Sequence, residues 1–563
     1  MSARITPAFC NTMRISNGDN ARRLFSAALF LTIALFGVAS SVKAPAPWGI
    51  NHLQFLPLVA WLIYWIAFLL AIMLAFATKL DARLDRVVDA TAQLIFERGI
   101  WPRLALAVIS IAIFYAFRMK THFLGDGYAL LSVLGQGETY MHKWTEMGSI
   151  EVIRWIQSLL GEHTKQTALE TFQILSVFSG GIVIYNFVGI AENIAEDRAT
   201  RLVALVTLLF SGVVLLFFGY VEFYPTVWAG TALFINLSLE SFRSGRRPYL
   251  AILVFALTCY LHLMLLFMGG SVLYQLIRGF LPAGIAGRKH AVFFVAGVVG
   301  LVLLGIGAVR LYVGAKQFHV IFLPLTPAAD SGDYGLFTSK HFLDIVNEIL
   351  VIVPSILALS VLAFGKQSGR GMQQRDCFLV AAAVGALSFL LFVDPGLGMA
   401  RDWDLMSLTL LPLILLILSR IDLSSIRANG RLLISLVVVS GLLSTGYLYA
   451  NISGPFSERR FLSLIEYYGA KDLSGWSSAA SYFRDAKNSV GFDEVVRKMK
   501  PYFPDEADLA ETYNCVDRKD YNRARALAEN LVERNPNNTR YLDVLGNTYA
   551  KLGEYQKGEA CYL

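Results

Sequence analysis

About thirteen apolar runs punctuate the chain, most of them near the ~20 residues that a helix needs to cross a hydrocarbon core. They lie at 24–42, 56–78, 101–117, 168–190, 202–219, 226–241, 249–263, 265–279, 291–313, 342–364, 376–393, 405–419 and 432–450. Hydrophobic residues make up 55% of the sequence and charged residues only 16%, against roughly 25% charged in a soluble domain. The expected fold is therefore all-α: a polytopic membrane bundle of about thirteen spans over 24–450, after a short tail at 1–23. The net charge of +7 is a topology signal spread over loops, and it does not argue for nucleic acid.

Basic residues in the short loops set the orientation. Arg4, Arg14, Arg22 and Arg23 put the N-terminus in the cytoplasm. Alternation then brings inside the loops holding Lys79, Arg83 and Arg86, "RSGRR" at 243–247, Arg288 and Lys289, Lys366 to Arg375, and Arg420 to Arg431. A single helix over 249–279 would reverse every later loop, so two separate segments are expected there. The first run has a basic flank and the small-residue stretch "VASSVKA". Its length exceeds a signal-peptide core, which favours a retained helix.

With this topology the unusual polar segments collect outside. The loop 118–167 contains "FLGDGYALL" with Asp126, followed by Glu138, His142, Lys143 and Glu146. "GYVEFYP" carries Glu222, and "DPGLGMARDWD" carries Asp394, Arg401, Asp402 and Asp404. Gly-Asp-Gly also makes a good turn, and Asp402 or Asp404 could cap the next helix. Against capping, four charges at a helix mouth are costly without a purpose. The Asp402–Asp404 pair offers hard oxygen ligands for a divalent cation, magnesium or manganese. Arg401, Arg310 and Lys340, with Lys316, His319 and His341, suit an anionic head group. His262 reads as a satisfied interior histidine.

These residues together resemble the GT-C superfamily of integral-membrane glycosyltransferases. The likeness covers roughly 100–450 and rests on layout, with "FLGDGYALL" similar to the acidic motif of the first outer loop. The resemblance implies a polyprenyl-phosphate-linked sugar donor, Asp126 as the catalytic acidic residue and inversion at the anomeric carbon. It also implies juxtamembrane helices within 140–160, where Val152, Ile153, Ile156, Leu159 and Leu160 form a stripe suited to the interface. Two features depart from the family. The acidic loop follows the third apolar run, and no adjacent acidic pair is present; Glu138 is the nearest downstream carboxylate. Glu222, Arg401, Arg310, Lys340 and Glu138 are the candidate substrate-binding residues.

From 451 to 563 the composition turns polar and helical. Tyr521 and Tyr555 are spaced at the 34-residue period of the tetratricopeptide repeat. "YLDVLGNTYAKLGEYQKGEACYL" follows that pattern, and 455–505 is expected to add a further helical pair. Such a domain outside the membrane, in the periplasm of a double-membrane bacterium, would hold a protein acceptor or an assembly partner. Cys515 and Cys561 are close enough in the chain to allow a disulfide. Two other readings compete: a polysaccharide polymerase or O-antigen ligase, and a transporter or scaffold. A transporter should place ionisable groups at mid-membrane, and the apolar runs show few.

Overall fold

The computed structural model describes residues 7–76, 80–136, 145–280, 321–325, 327, 334–364, 372–421, 423 and 429–563. Glu138, His142, Lys143, Arg310, Lys316, His319 and the expected span 291–313 lie outside the described residues. Within them the chain is helical, with one antiparallel bridge between Phe322 and Val393. It divides into two compact units. The larger comprises 1–326, 335–395 and 399–460, and the smaller 327–334, 396–398 and 461–563.

The larger unit begins with α1 (Pro7–Val42), α2 (Leu58–Phe76), α3 (Asp81–Phe96) and α4 (Trp101–Ala116). Then come α5 (Gly127–Gly135), α6 (Met147–Leu160), α7 (Lys165–Ile194), α8 (Arg198–Leu209), α9 (Tyr224–Ser244), α10 (Tyr249–Leu261) and α11 (Gly269–Phe280). It continues through α12 (Ser339–Ile352), α13 (Ile356–Phe364), α14 (Gln374–Phe392), α15 (Trp403–Ser419) and α16 (Asn429–Ile452) into α17 (Gly454–Tyr468).

Of the expected thirteen spans, the structure shows the coarser feature, a helical chain with several long apolar helices. Among the described residues four helical stretches are long and apolar enough to cross a membrane: Arg22–Val42, Lys165–Ile194, Gln374–Phe392 and Gly430–Ile452. Two bent pairs raise the number to six if each counts as one crossing. One pair is α3 with α4, at 93°. The basic loop after α2 folds into the amphipathic α3, which Gly430 and Arg431 of α16 pin through Asp85 and Asp81. The other is α12 with α13, bent by 84° where Pro354 removes an amide donor.

The expected run 202–219 is also two elements. After α8 the chain breaks at Ser211, whose hydroxyl accepts from Val213 N, and tightens into a 3-10 turn over Gly212–Phe217. Gly212 is needed there, because a Cβ would lie 2.4 Å from the Val351 carbonyl oxygen. Segment 249–279 is divided by extended backbone at His262 (φ −155°), with a 3-10 turn over Leu263–Met268 before α11. α7 is the central packing element, lying against α4, α8 and α9. An amide chain ties it to α9: Asn193 donates to Asn236 at 3.2 Å and Asn236 to Asn186 at 3.0 Å.

The smaller unit contains α18 (Leu473–Asp485), α19 (Ser489–Met499), α20 (Pro504–Asp517), α21 (Tyr521–Arg534), α22 (Thr539–Lys551) and α23 (Tyr555–Tyr562). Asp472, Asn488, Asp520 and Asn538 cap four of these with side-chain oxygens. Neighbouring helices pack in sequence order, with Leu509, Ala528, Leu531, Tyr541, Val544 and Leu545 as the shared core. Tyr521 and Tyr555 open α21 and α23, so the 34-residue spacing links equivalent helix starts. Cys515 and Cys561 are both free thiols.

Candidate functional site: a buried acidic floor beneath the Gly-Asp-Gly turn

The turn before α5 is held by two distant segments. Gly125 takes a left-handed conformation, φ +62°, which glycine alone adopts without strain. Its amide donates to the Arg401 carbonyl at 3.0 Å, and its own carbonyl accepts from Arg401 Nη2 at 2.5 Å. The next amide, of Asp126, donates to Glu222 Oε1, and Glu222 Oε2 accepts from Phe223 N at 3.4 Å. Glu222 and Arg401 are both buried. Sequence reasoning cast them as groups that face a substrate. In the structure both bond the backbone around Asp126.

Asp126 occupies the N-cap position of α5, yet its side chain makes no capping bond. The residue is half-buried. Asp402 is likewise half-buried and at an N-cap position without a capping bond. Asp404 lies fully buried in the first turn of α15, with Oδ1 accepting from Leu405 N at 2.9 Å. The charge of Asp404 senses both Asp402 and Asp126. The structure thus brings Asp126, Glu222, Arg401, Asp402 and Asp404 together. Lys340 stands one helical turn before Asp344 in α12. Among the described residues no group of three or more His, Cys, Asp or Glu side chains is placed to hold a metal ion. Asp402 is half-buried and Asp404 enclosed.

Beneath the turn lies a polar floor that the sequence reading missed. Tyr220 is enclosed, and burial followed by the Asp404 and Glu222 charges holds its phenol far above the usual range. Its ring meets Trp403 edge-on at 6.0 Å, and Trp403 meets Tyr447 at 5.8 Å. Arg460 sits 5.2 Å over the Tyr447 ring and donates to Asn451 Oδ1 at 2.9 Å and the Trp48 carbonyl at 3.2 Å. α12 contributes Asp344, Asn347 and Glu348, all fully enclosed. Asp344 accepts from Trp48 Nε1 at 2.7 Å. Both oxygens of Glu348 lack a hydrogen-bond partner among the described residues, and its charge is felt against Asp404. The signal was present in "LDIVNEI", where three polar residues fall on one helical face of an apolar run. The expectation of few buried charges is corrected by these residues.

A second pair flanks the site. His262 Nε2 lies 3.4 Å from Glu146 Oε1, both side chains buried, and the ring packs against Tyr224 at 5.5 Å. His262 Nδ1 accepts from Met264 N at 3.1 Å, so the ring proton resides on Nε2, facing Glu146. The expected interior histidine is found, and its carboxylate partner is new.

α6 was expected to present Val152, Ile153, Ile156, Leu159 and Leu160 as one face. Ile153 packs inward with Ile150 on the core of α5 and α7, whereas Trp155, Leu159 and Leu160 are exposed. Buried Gln157 ties the three helices, its amide donating to the Leu134 carbonyl and Thr167 Oγ1, each at 3.3 Å.

No family model matches this chain, and no curated protein or solved structure matches it.

Proposed function

We propose that the protein is a membrane glycosyltransferase that moves a sugar from a polyprenyl-phosphate-linked donor to an acceptor hydroxyl on the extracytoplasmic face. The observation that carries the reading is the convergence on Asp126, itself half-buried: Glu222 and Arg401, distant in sequence, both bind the backbone of its turn. In this mechanism the acceptor oxygen attacks the anomeric carbon and its proton passes to the Asp126 carboxylate. The bond from that carbon to the phosphate oxygen breaks, and the polyprenyl phosphate departs with the electron pair. The buried Arg401 cation lies beneath the turn, where its field opposes the negative charge growing on the leaving group. Tyr220, kept as a phenol, is a donor and not a base. Exposed Trp155, Leu159 and Leu160 give α6 an apolar face for lying in the membrane interface near the lipid-linked donor.

The thirteen-span topology, with the N-terminus cytoplasmic and the smaller unit extracytoplasmic, belongs to this proposal. So does the reading of α18–α23 as tetratricopeptide-type repeats that hold a protein acceptor or an assembly partner.

The test is transfer from lipid-linked sugars in membranes carrying the Asp126→Asn protein. Loss of transfer with normal insertion is expected. Full activity would remove the assignment.

One observation favours a second reading. Fully enclosed Glu348 and Asp404 within apolar helices are what an ion- or proton-coupled transporter would carry. Proton uptake by reconstituted vesicles with no lipid-linked sugar present would select it.

A further inference from the structure

At the far end of α7 from Asp126 lies a cleft of about 620 Å³ between α7, α9 and the start of α14. Phe172 of α7 packs in the core beside α5, and the cleft begins at Glu192. At ~1.5 Å per residue these points are about 30 Å apart along the axis, the thickness of a hydrocarbon core. The cleft is therefore separate from the Asp126 site.

Its rim is built by guanidinium groups gathered on the last carbonyls of α7. Arg201 Nε donates to the Ala195 carbonyl at 3.1 Å, Arg243 Nη1 to that of Glu192 at 3.3 Å, and Arg375 Nη1 to that of Asn193 at 3.2 Å. These bonds satisfy carbonyls that a helix end leaves open, and they fix the side chains. These acceptors are neutral oxygens; Arg375 also lies 4.0 Å from the Asp376 carboxylate, so the charge offered by the rim is chiefly that of Arg201 and Arg243. Each guanidinium has five donors, and for Arg201 and Arg243 the bonds to the helix end engage only a minority. Two acidic residues, Glu192 and Glu196, also line the cleft, and Glu192 is matched by Arg103. One side of the cleft is apolar, formed by Leu239, Phe242 and Met372.

We propose that this cleft is a binding site for a phosphate group, supplied first by the phosphodiester head of an anionic lipid. Arginines pair with phosphate through parallel donors, and basic pockets between membrane helices on the side of the basic loops suit lipid head groups. The apolar wall beside the guanidiniums accommodates the start of an acyl chain, which inorganic phosphate lacks.

The full-length protein is reconstituted in nanodiscs with equal phosphatidylglycerol and phosphatidylcholine, then extracted, and its retained lipid is measured by mass spectrometry. The wild type should retain phosphatidylglycerol in excess. The double variant Arg201→Gln, Arg243→Gln should lose most of that excess, by about tenfold, with phosphatidylcholine unchanged. The Arg201→Lys, Arg243→Lys protein should keep an intermediate share. In parallel, inorganic phosphate is titrated against the thermal midpoint of lipid-stripped protein. A midpoint that rises with phosphate in the wild type and not in the Gln variant, without lipid selection, supports the site and assigns it to soluble phosphate. Equal lipid retention in wild type and Gln variant, with no phosphate effect, overturns the proposal. If the Gln variant does not fold, the wild type decides: absence of both phosphatidylglycerol enrichment and a phosphate-dependent midpoint overturns it. None of these readouts needs transfer activity.

Discussion

The amide of Asp126 donates to the carboxylate of Glu222, which lies 96 residues further along the chain. This bond fixes the direction in which the Asp126 turn enters α5. The same turn is clamped from its other side by both the main chain and the guanidinium of Arg401.

Gly125 is the first place to test that clamp. A Cβ there would lie 2.5 Å from Glu222 Oε1, on a backbone at φ +62°. Gly125→Ala should cost at least ~1 kcal/mol from conformation alone. It should also shift Glu222, and small misplacements near a reacting group reduce rates steeply, by on the order of a hundredfold per ångström. A drop in transfer of at least tenfold, with insertion retained on protease mapping, is the expected result.

Arg401 should matter for stability as well as activity. Arg401→Met leaves the Gly125 carbonyl without its guanidinium donor. The expected loss is about 1–3 kcal/mol, read from detergent unfolding curves. Arg401→Lys should recover only part of it, because an ammonium does not reproduce the planar donor geometry.

Stability should fall in mild acid. Burial holds His122 neutral, with its pKa lowered to about 4, and His52 lies lower still, at about 3, through burial and then Arg460. In the unfolded chain both titrate near 6.5. Above that pH neither state binds the extra proton and the histidines contribute no slope. Between about 6.5 and 4 the unfolded state binds more protons, so folding weakens as pH drops. For His122 the full effect is about 3 kcal/mol. The thermal midpoint should decline from pH 7 to pH 5, and His122→Phe should flatten that decline.

Glu348 should show opposed effects on stability and activity. It is fully enclosed with neither oxygen hydrogen-bonded among the described residues. An enclosed polar group without hydrogen bonds costs about 1–3 kcal/mol, so an apolar side chain of similar volume is expected to stabilise by a like amount. Glu348→Met should therefore melt higher while transferring sugar more slowly, since it alters the field at Asp404. Higher melting with unchanged transfer would separate Glu348 from the chemistry.

In the smaller unit, Gly546 lets α22 and α23 approach. A Cβ there would stand 2.9 Å from the Tyr562 ring. Gly546→Val should destabilise this helix pair by ~1–3 kcal/mol, seen as earlier proteolysis of the C-terminal segment in the full chain.

The linear pattern of residues determined much on its own. Apolar runs located α2, α7, α9, α14, α15 and α16, because burial in lipid or among helices demands continuous apolar surface whatever the partner. Pro225 marked the start of α9, since a missing amide does no harm in a first turn. The acidic and basic residues of "GDG", "VEF" and "ARDWD" stood out, because charges beside apolar runs are rare. Their roles were not legible there. Whether Glu222 and Arg401 face a ligand or grip a turn depends on which backbone groups distant segments bring within hydrogen-bond reach. The division of 249–279 was expected from the basic loops, but the breaks at Ser211 and Pro354, and the enclosure of Asp344, Glu348 and Arg460, were likewise decided only on folding. A helix continues or breaks, and a charge is covered or open, according to neighbours that sequence spacing does not specify.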